Sequence, residues 1–382
     1  MKILFLSNYY NHHQAPFSQA MARKEGMEYT FVQTQQMSAE RRALGYGTEL
    51  PDFVQDCSGG CISCAESIVD ADAVIAGSAP EGLLRERIRQ GKLLLRYAER
   101  PLKQGLELPK YLPRLLRWHQ RNPMGKPIYL LCASGYTAGD YRKFGLFRNR
   151  TYRWGYFPQT HRYEDPVALL QKKDPTHILW CGRFLDWKHP GDALAVAARL
   201  QEAGYDFRMT FVGTGAKEAE MTRLVEEKGL SHRVTLAGSM KPEQVREKME
   251  NAGIYMMTSD RQEGWGAVLN ESMNAGCAVV VSHLVGAAPF LVKNGENGIV
   301  YPSGDVDALY EAVKDLLENR EKQQKLGLAA YETIANEWNA EEAARRLTAL
   351  CEAILAGDKH PDLYESGPCS RAETVKESWY KR

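Results

Sequence analysis

No run in this 382-residue chain approaches the ~18 consecutive apolar residues of a membrane span. The opening MKILFLSNYY turns polar too early for a secretory leader, so a soluble, reducing, cytoplasmic setting is expected. Excess charge of either sign is also missing: 49 Lys and Arg stand against 48 Asp and Glu. That balance argues against a nucleic-acid or polyanion binder acting through its overall field and leaves recognition to local patches. Low-complexity tracts and residue-level internal repeats are absent. Cysteine is too sparse for a disulfide framework in a chain this long. Cys132, Cys181 and Cys277 lie in or beside apolar runs and read as buried thiols, while Cys351 and Cys369 carry no motif. Cys57, Cys61 and Cys64 follow a C-x3-C-x2-C spacing that offers three metal ligands and no fourth, so surface or half-buried thiols and no metal are expected.

What is present is alternation. Short apolar runs (KILFLS, YTFVQ, ADAVIAGS, KLLLRYA, PIYLLCAS) alternate with amphipathic stretches up to about residue 153. The aromatic, proline-bearing WGYFPQTHRYEDP breaks the pattern, and a second series then starts at HILWCGRF. Strands spaced by helical stretches predict parallel sheets with crossover helices. A length beyond about 250–300 residues predicts two domains. We place these at 1–158, joined by the tail 364–382, and at 159–363. The C-terminal helix is expected to pack back toward the first domain, and the tail, counted with that domain, to reach back across both halves.

Chemistry concentrates where predicted strands end. In IYMMTSDRQEGWGAVLNESMNAG, Gly264 and Gly266 flank Trp265 where a loop becomes a helix. Unpaired N–H groups at a helix start suit a phosphate or sugar hydroxyls. Glu263 precedes that start, and Glu271 follows two turns on, on about the same face. Two carboxylates so placed can hold two hydroxyl clusters of one elongated ligand. The plainer alternative is a capping Glu263 and a solvated Glu271. Upstream, WCGRFLDWKHPGD sets Gly182, Arg183 and Lys188 in a strand-to-helix loop, where two cations can neutralise a diphosphate without a metal. Gly213 in FVGTG occupies a similar turn.

These pieces, with GRFLDWK, FVGTG, VTLAGSMKPEQV, EGWGAVLNESMNAG and NGENGIVYPSGDVDAL in that order, resemble the retaining GT-B glycosyltransferases of family 4 over about residues 177–350. The resemblance implies an α/β, GT-B architecture of two Rossmann-like domains facing a central cleft. It also implies transfer of a hexosyl group from a nucleotide diphosphate sugar, UDP-sugars first, to a hydroxyl, with retention, in surface polysaccharide or glycoconjugate synthesis. Glu271 would hold the ribose and Glu263 the donor sugar. The backbone of Gly264, Trp265, Gly266 and Ala267 would meet sugar and diphosphate. Arg183 and Lys188 would stabilise the leaving group. Val212–Gly213 and Gly238–Met240 would line the nucleotide. No cofactor and no metal are implied.

The N-terminal half departs from the family pattern. Many relatives carry a glycine-rich loop after the first strand; this chain has SNYYNHHQAPF, which places His12 and His13 at that strand's carboxyl end. Where relatives often place a histidine, KLLLRYAERPLK ends in Glu99 and Arg100. Glu99 and His13 are candidates for proton transfer. His12, Ser78, Arg100 and Ser134 are candidates on the side of a glycan or lipid-linked glycan acceptor. The basic amphipathic segment Leu108–Lys126 is a candidate for peripheral contact with an inner membrane face. Alternatives are a nucleotide-sugar 2-epimerase-like isomerase and a non-catalytic GT-B partner protein.

Overall fold

The computed structural model describes residues 1–38, 50–59, 62–105 and 108–381. The chain forms two compact units: Met1–Gln159 with Trp338–Thr374, and Thr160–Glu337 with Val375–Arg382.

The first unit is a seven-stranded parallel sheet in the order β3-β2-β1-β4-β5-β6-β7. Its strands are β1 (Lys2–Ser7), β2 (Glu28–Gln33), β3 (Val54–Asp56), β4 (Ala73–Ala76), β5 (Leu93–Ala98), β6 (Ile128–Cys132) and β7 (Thr151–Arg153). β4 and β6 are buried along their whole length, as expected when helices cover both faces of a parallel sheet. Leu4, Leu6, Val74, Ile68 and Leu94 pack one side of it. Arg87 lies fully buried beneath this core. Its guanidinium donates to the carbonyls of Ile68 (2.8 Å), Ala71 (2.8 Å), Asp72 (3.0 Å) and Leu93 (2.6 Å), so a buried cation closes the ends of three segments at once.

The second unit is a six-stranded parallel sheet ordered β10-β9-β8-β11-β12-β13. Its strands are β8 (Asp174–Cys181), β9 (Arg208–Val212), β10 (Val234–Leu236), β11 (Ala252–Met257), β12 (Ala278–Ser282) and β13 (Ile299–Tyr301). Ile178, Trp180, Phe184, Phe211, Met256 and Val280 form its core. Chain order reverses beside β1 in the first sheet and beside β8 in the second. In open α/β sheets, ligands bind beyond the strands' carboxyl ends at such reversals.

Three sequence expectations need correction. The helix Ala340–Leu355, assigned above to the second domain, packs on the Ala15–Ala22 helix of the first unit, because its buried stripe of Ala343, Ala344, Leu347, Leu350 and Cys351 faces that way. The tail 364–382 is not one body. Residues up to Thr374 stay with the first unit, where Arg153 N–H donates to Ser370 (2.8 Å) and Ala372 N–H to Thr151 (3.0 Å), extending the sheet beside β7. Val375 onward belongs to the second unit, where Asn294 Nδ2 donates to the Tyr380 carbonyl (3.0 Å). Cys57 and Cys64 are joined as a disulfide where free thiols were expected, and Cys61 lies outside the described residues. The helices Ile62–Asp70 and Arg320–Asn336 were not predicted, the second because polar KQQK masks its buried Leu326, Ala330 and Ile334.

Candidate active site

At the carboxyl ends of β8, β9 and β10 three glycines meet. Gly182 N–H donates to Val212 (2.9 Å), and Gly213 N–H to Gly238 (2.8 Å). Gly213 holds φ +132°, and a Cβ there would stand 2.0 Å from the Gly182 carbonyl oxygen. Only glycine permits that backbone and that approach. The three strand ends therefore present main chain rather than side chains, with Met240 half-buried a short way beyond.

The next loop leaves β8 through Gly182 and Arg183 and turns at Asp186–Lys188. Arg183 is exposed and makes no ion pair among the described residues. Lys188 is enclosed: its ammonium pairs with Glu263 and lies 4.6 Å from the Trp187 ring centroid. Ser259 donates to the same Glu263 oxygen (3.1 Å). Thr258 Oγ1 donates to the Lys188 carbonyl (2.7 Å) and accepts from Trp180 Nε1 (2.9 Å), while Asp260 N–H donates to Trp187 (2.9 Å). The β8 and β11 loops are thus stitched together, with the lysine and the glutamate at the seam. Thr258 and Ser259 carried no signal beyond their place at the end of the apolar run IYMM.

Beyond β11, Gly264, Trp265 and Gly266 are buried. Trp265 faces inward, its Nε1 on Asn270 (2.8 Å), and its carbonyl accepts from Ala287 (3.0 Å). Gly266 enters the Ala267–Asn274 helix at φ +93°, and no side chain caps that helix start. A Cβ on Gly266 would meet Met257 Cε at 2.4 Å, so the turn is close-packed.

Glu271 lies half-buried on this helix, and no hydrogen bond to its carboxylate occurs among the described residues. Burial pushes its pKa up to about 7, with Arg246 pulling it down. A desolvated carboxylate without donors of its own is suited to accept bonds from a ligand's hydroxyls. Arg246, unnoticed in the sequence, donates to the Glu271 carbonyl (3.3 Å). Cys181 is close by: burial, with Glu271 adding to it, raises its thiol to about 12. Three residues along the helix, Asn274 holds the chain where it enters this unit: Oδ1 accepts from His161 N–H (2.8 Å) and Nδ2 donates to the His161 carbonyl (3.0 Å).

The first unit gathers some of the acceptor-side candidates. His12 and His13 rings touch, with centroids 3.7 Å apart. His13 stacks on Tyr156 at 5.7 Å with 13° between ring planes. Tyr156, absent from the candidates, donates to Glu99 (2.6 Å), and Lys103 pairs with the other Glu99 oxygen. Both oxygens of Glu99 are therefore engaged, which suits a positioning role better than that of a base. Arg100 pairs with Asp140 (3.3 Å) and covers the Tyr136 ring (4.7 Å). Ser78 stands exposed after β4. Ser134 is wholly buried and accepts from Tyr136 N–H (3.3 Å), so it is a turn residue with no surface for a ligand. No group of three or more His, Cys, Asp or Glu able to hold a metal occurs among the described residues.

Two parallel α/β units, with glycines, cations and carboxylates at the strand ends of the second, define the GT-B fold of glycosyltransferases. Residues 162–333 match the model of the glycosyl transferases group 1 family. It is 28% identical over 207 residues to the amylovoran biosynthesis glycosyltransferase AmsK of Erwinia amylovora, covering 53% of this chain and half (50%) of that protein. It is 23% identical over 295 residues to the putative colanic acid biosynthesis glycosyltransferase WcaL of Escherichia coli K12, covering 74% and 71%. Among solved structures, HepE from Anabaena in complex with UDP shares the fold at a TM-score of 0.66 and 14% identity, over 92% of this chain and all (100%) of that one.

Proposed function

We propose that this group 1 glycosyltransferase moves a hexosyl group from a nucleotide diphosphate sugar, a UDP-sugar first, to a hydroxyl, with retention and without a metal, in polysaccharide or glycoconjugate synthesis. The observation that carries the proposal is Glu271: a half-buried carboxylate with no donor among the described residues, on the helix that follows a glycine-bounded turn. It would accept the two ribose hydroxyls. Gly182, Gly213 and Gly238 would let nucleotide and phosphates approach the backbone. Arg183, with no ion pair among the described residues, would meet the diphosphate, and Lys188, released in part from Glu263, would join it. Glu263 would then be available to a sugar hydroxyl.

In the step itself, the bond from the anomeric carbon to the diphosphate breaks while the acceptor oxygen bonds on the same face. The acceptor proton passes to the departing phosphate oxygen. The engagement of both Glu99 oxygens supports that route over one through Glu99. Preplaced cations stabilise the charge gathering on the leaving group. The naming of AmsK and WcaL for polysaccharide biosynthesis supports the acceptor class.

A thermal-shift screen across UDP-, GDP- and ADP-sugars, followed by calorimetry, tests the donor. A ligand at 100 times its Kd should stabilise by roughly 2.7 kcal/mol. Arg183→Ala should lose on the order of 10²–10³ in kcat. Undiminished turnover in chelator is expected. Absence of binding by any nucleoside diphosphate, or full activity in Glu271→Ala, would refute the proposal.

A further inference from the structure

We propose that the face of the first unit carrying Leu112, Leu116 and Met124 docks in the plane of an anionic lipid surface. The inference rests on side-chain exposure and charge, and it goes beyond the donor reading without depending on it.

The segment Leu108–Arg121 is one helix despite Pro113 in its interior. One side of it is anchored. Trp118 packs edge-on to Phe144 at 4.5 Å, Leu115 joins the cluster of Leu102, Phe144 and Leu146, and His119 Nε2 bonds the Phe144 carbonyl (2.9 Å). Anchoring fixes which residues look outward. Leu112 and Leu116, one turn apart, are 59% and 56% exposed, and Met124 just beyond the helix is 86% exposed. Aliphatic side chains this open are uncommon here, and three of the seven large exposed hydrophobics among the described residues fall within these thirteen positions. A cluster, unlike scattered single residues, signals a surface that is covered in use.

Charge identifies the cover. From Leu108 to Arg150 the sequence holds nine of the chain's 49 Lys and Arg but one of its 48 Asp and Glu. That single acid, Asp140, is buried and already faces Arg100 (3.3 Å) and Lys143 (3.8 Å). The rest of the chain is correspondingly acidic, so a chain with almost no net charge carries a strongly cationic stretch, whose Arg121 faces Glu81 at 3.9 Å. Arg117 is exposed and Arg114 partly so, and neither forms an ion pair among the described residues. A nucleic acid would use the cations and leave the leucines in water. An acidic protein surface would do much the same. A bilayer rich in anionic phospholipid takes both: acyl chains receive Leu112, Leu116 and Met124, and headgroup phosphates receive the flanking arginines. No helix among the described residues is long and apolar enough to cross a membrane, so the contact lies in the interfacial plane.

Co-sedimentation of the full chain with vesicles tests this. Vesicles of phosphatidylglycerol with phosphatidylcholine should retain the protein at ~0.1 M salt, and raising salt to ~0.5 M should release most of it, because the screening length then shrinks by about half. Pure phosphatidylcholine should hold little. Leu112→Gln with Leu116→Gln should weaken partitioning at least tenfold. Arg114→Gln with Arg117→Gln should weaken it by roughly tenfold as well, since each cation near an anionic surface contributes several-fold. Both pairs alter exposed or half-exposed side chains, and an unchanged far-UV circular dichroism spectrum and melting temperature in each would show the protein folded and keep this test apart from the donor reading. Failure of the native chain to bind anionic vesicles would overturn the proposal. So would equal binding by the leucine variant, or a native dimer that the leucine variant dissociates, which would give the face to a second copy of the chain.

Discussion

Lys188 and Glu263 form an ion pair with about a tenth of each side chain exposed (11% and 10%), and they come from loops following different strands. In the resting protein each neutralises the other, and Ser259 supplies a further bond to the carboxylate. Lys188→Ala would strand Glu263 in a poorly hydrated position. Breaking such a pair from one side costs up to 3–5 kcal/mol in buried settings; with Ser259 retained we expect about 2–3 kcal/mol by urea denaturation. Lys188→Met combined with Glu263→Gln should recover most of that stability and still lack transfer activity. Equal stability of Lys188→Ala and the native chain would show the pair to be incidental.

Nucleotide affinity should depend on pH through Glu271. Burial raises its pKa to about 7 in the free protein. Ribose hydroxyls donate to the ionised form, so binding lowers that pKa and favours the carboxylate. Affinity for UDP should therefore be near its full value above pH 8 and fall as pH drops below 7, approaching tenfold per pH unit well below the free pKa. Proton release on binding at neutral pH should appear as a dependence of calorimetric heat on buffer. Glu271→Gln should bind weakly and show neither effect.

Gly213→Ala should be among the most damaging single-methyl changes in the molecule. The added carbon would meet the Gly182 oxygen at 2.0 Å and inherit φ +132°. Backbone strain of this kind costs roughly 1–3 kcal/mol, and overpacking adds a similar amount. A loss of about 3 kcal/mol or more in chemical denaturation is expected, with nucleotide binding weakened in whatever fraction folds.

Much of this site was readable from spacing, because strand-loop-helix punctuation by glycine has a direct backbone cause. Glu263 and Gly266 precede the helix start and Glu271 lies within the helix, as the glycine-bounded turn indicates, and Arg183 and Lys188 fall in the loop after β8 as the apolar run HILWC indicates. What spacing does not carry is contact between distant segments. Nothing near Glu99 in sequence announces Tyr156, 57 positions away, as its hydrogen-bond donor. Arg246 looks like one more solvated cation on a polar helix until the fold lays it against the Glu271 carbonyl. The Ala340–Leu355 helix was attached to the wrong unit because amphipathicity reveals that a face is buried but not what buries it.

Tyr156→Phe isolates the acceptor-side network. It removes the donor to Glu99 and keeps the ring stacked on His13. If the first unit receives the acceptor, this change should raise the acceptor KM several-fold, consistent with a lost hydrogen bond to a charged group of about 1.5–3 kcal/mol shared across the network. UDP affinity should stay unchanged. A shift in UDP affinity instead would move Tyr156 to the donor side.

The paired bonds from Asn274 to the amide and carbonyl of His161 give this protein an internal clock. An amide locked by a buried side chain exchanges its hydrogen only when that attachment opens. Because Asn274 and Glu271 share one short helix, the exchange lifetime of the His161 amide should lengthen whenever a ligand steadies that helix. A single backbone proton, watched in deuterium, would then report occupancy of the helix that carries Glu271.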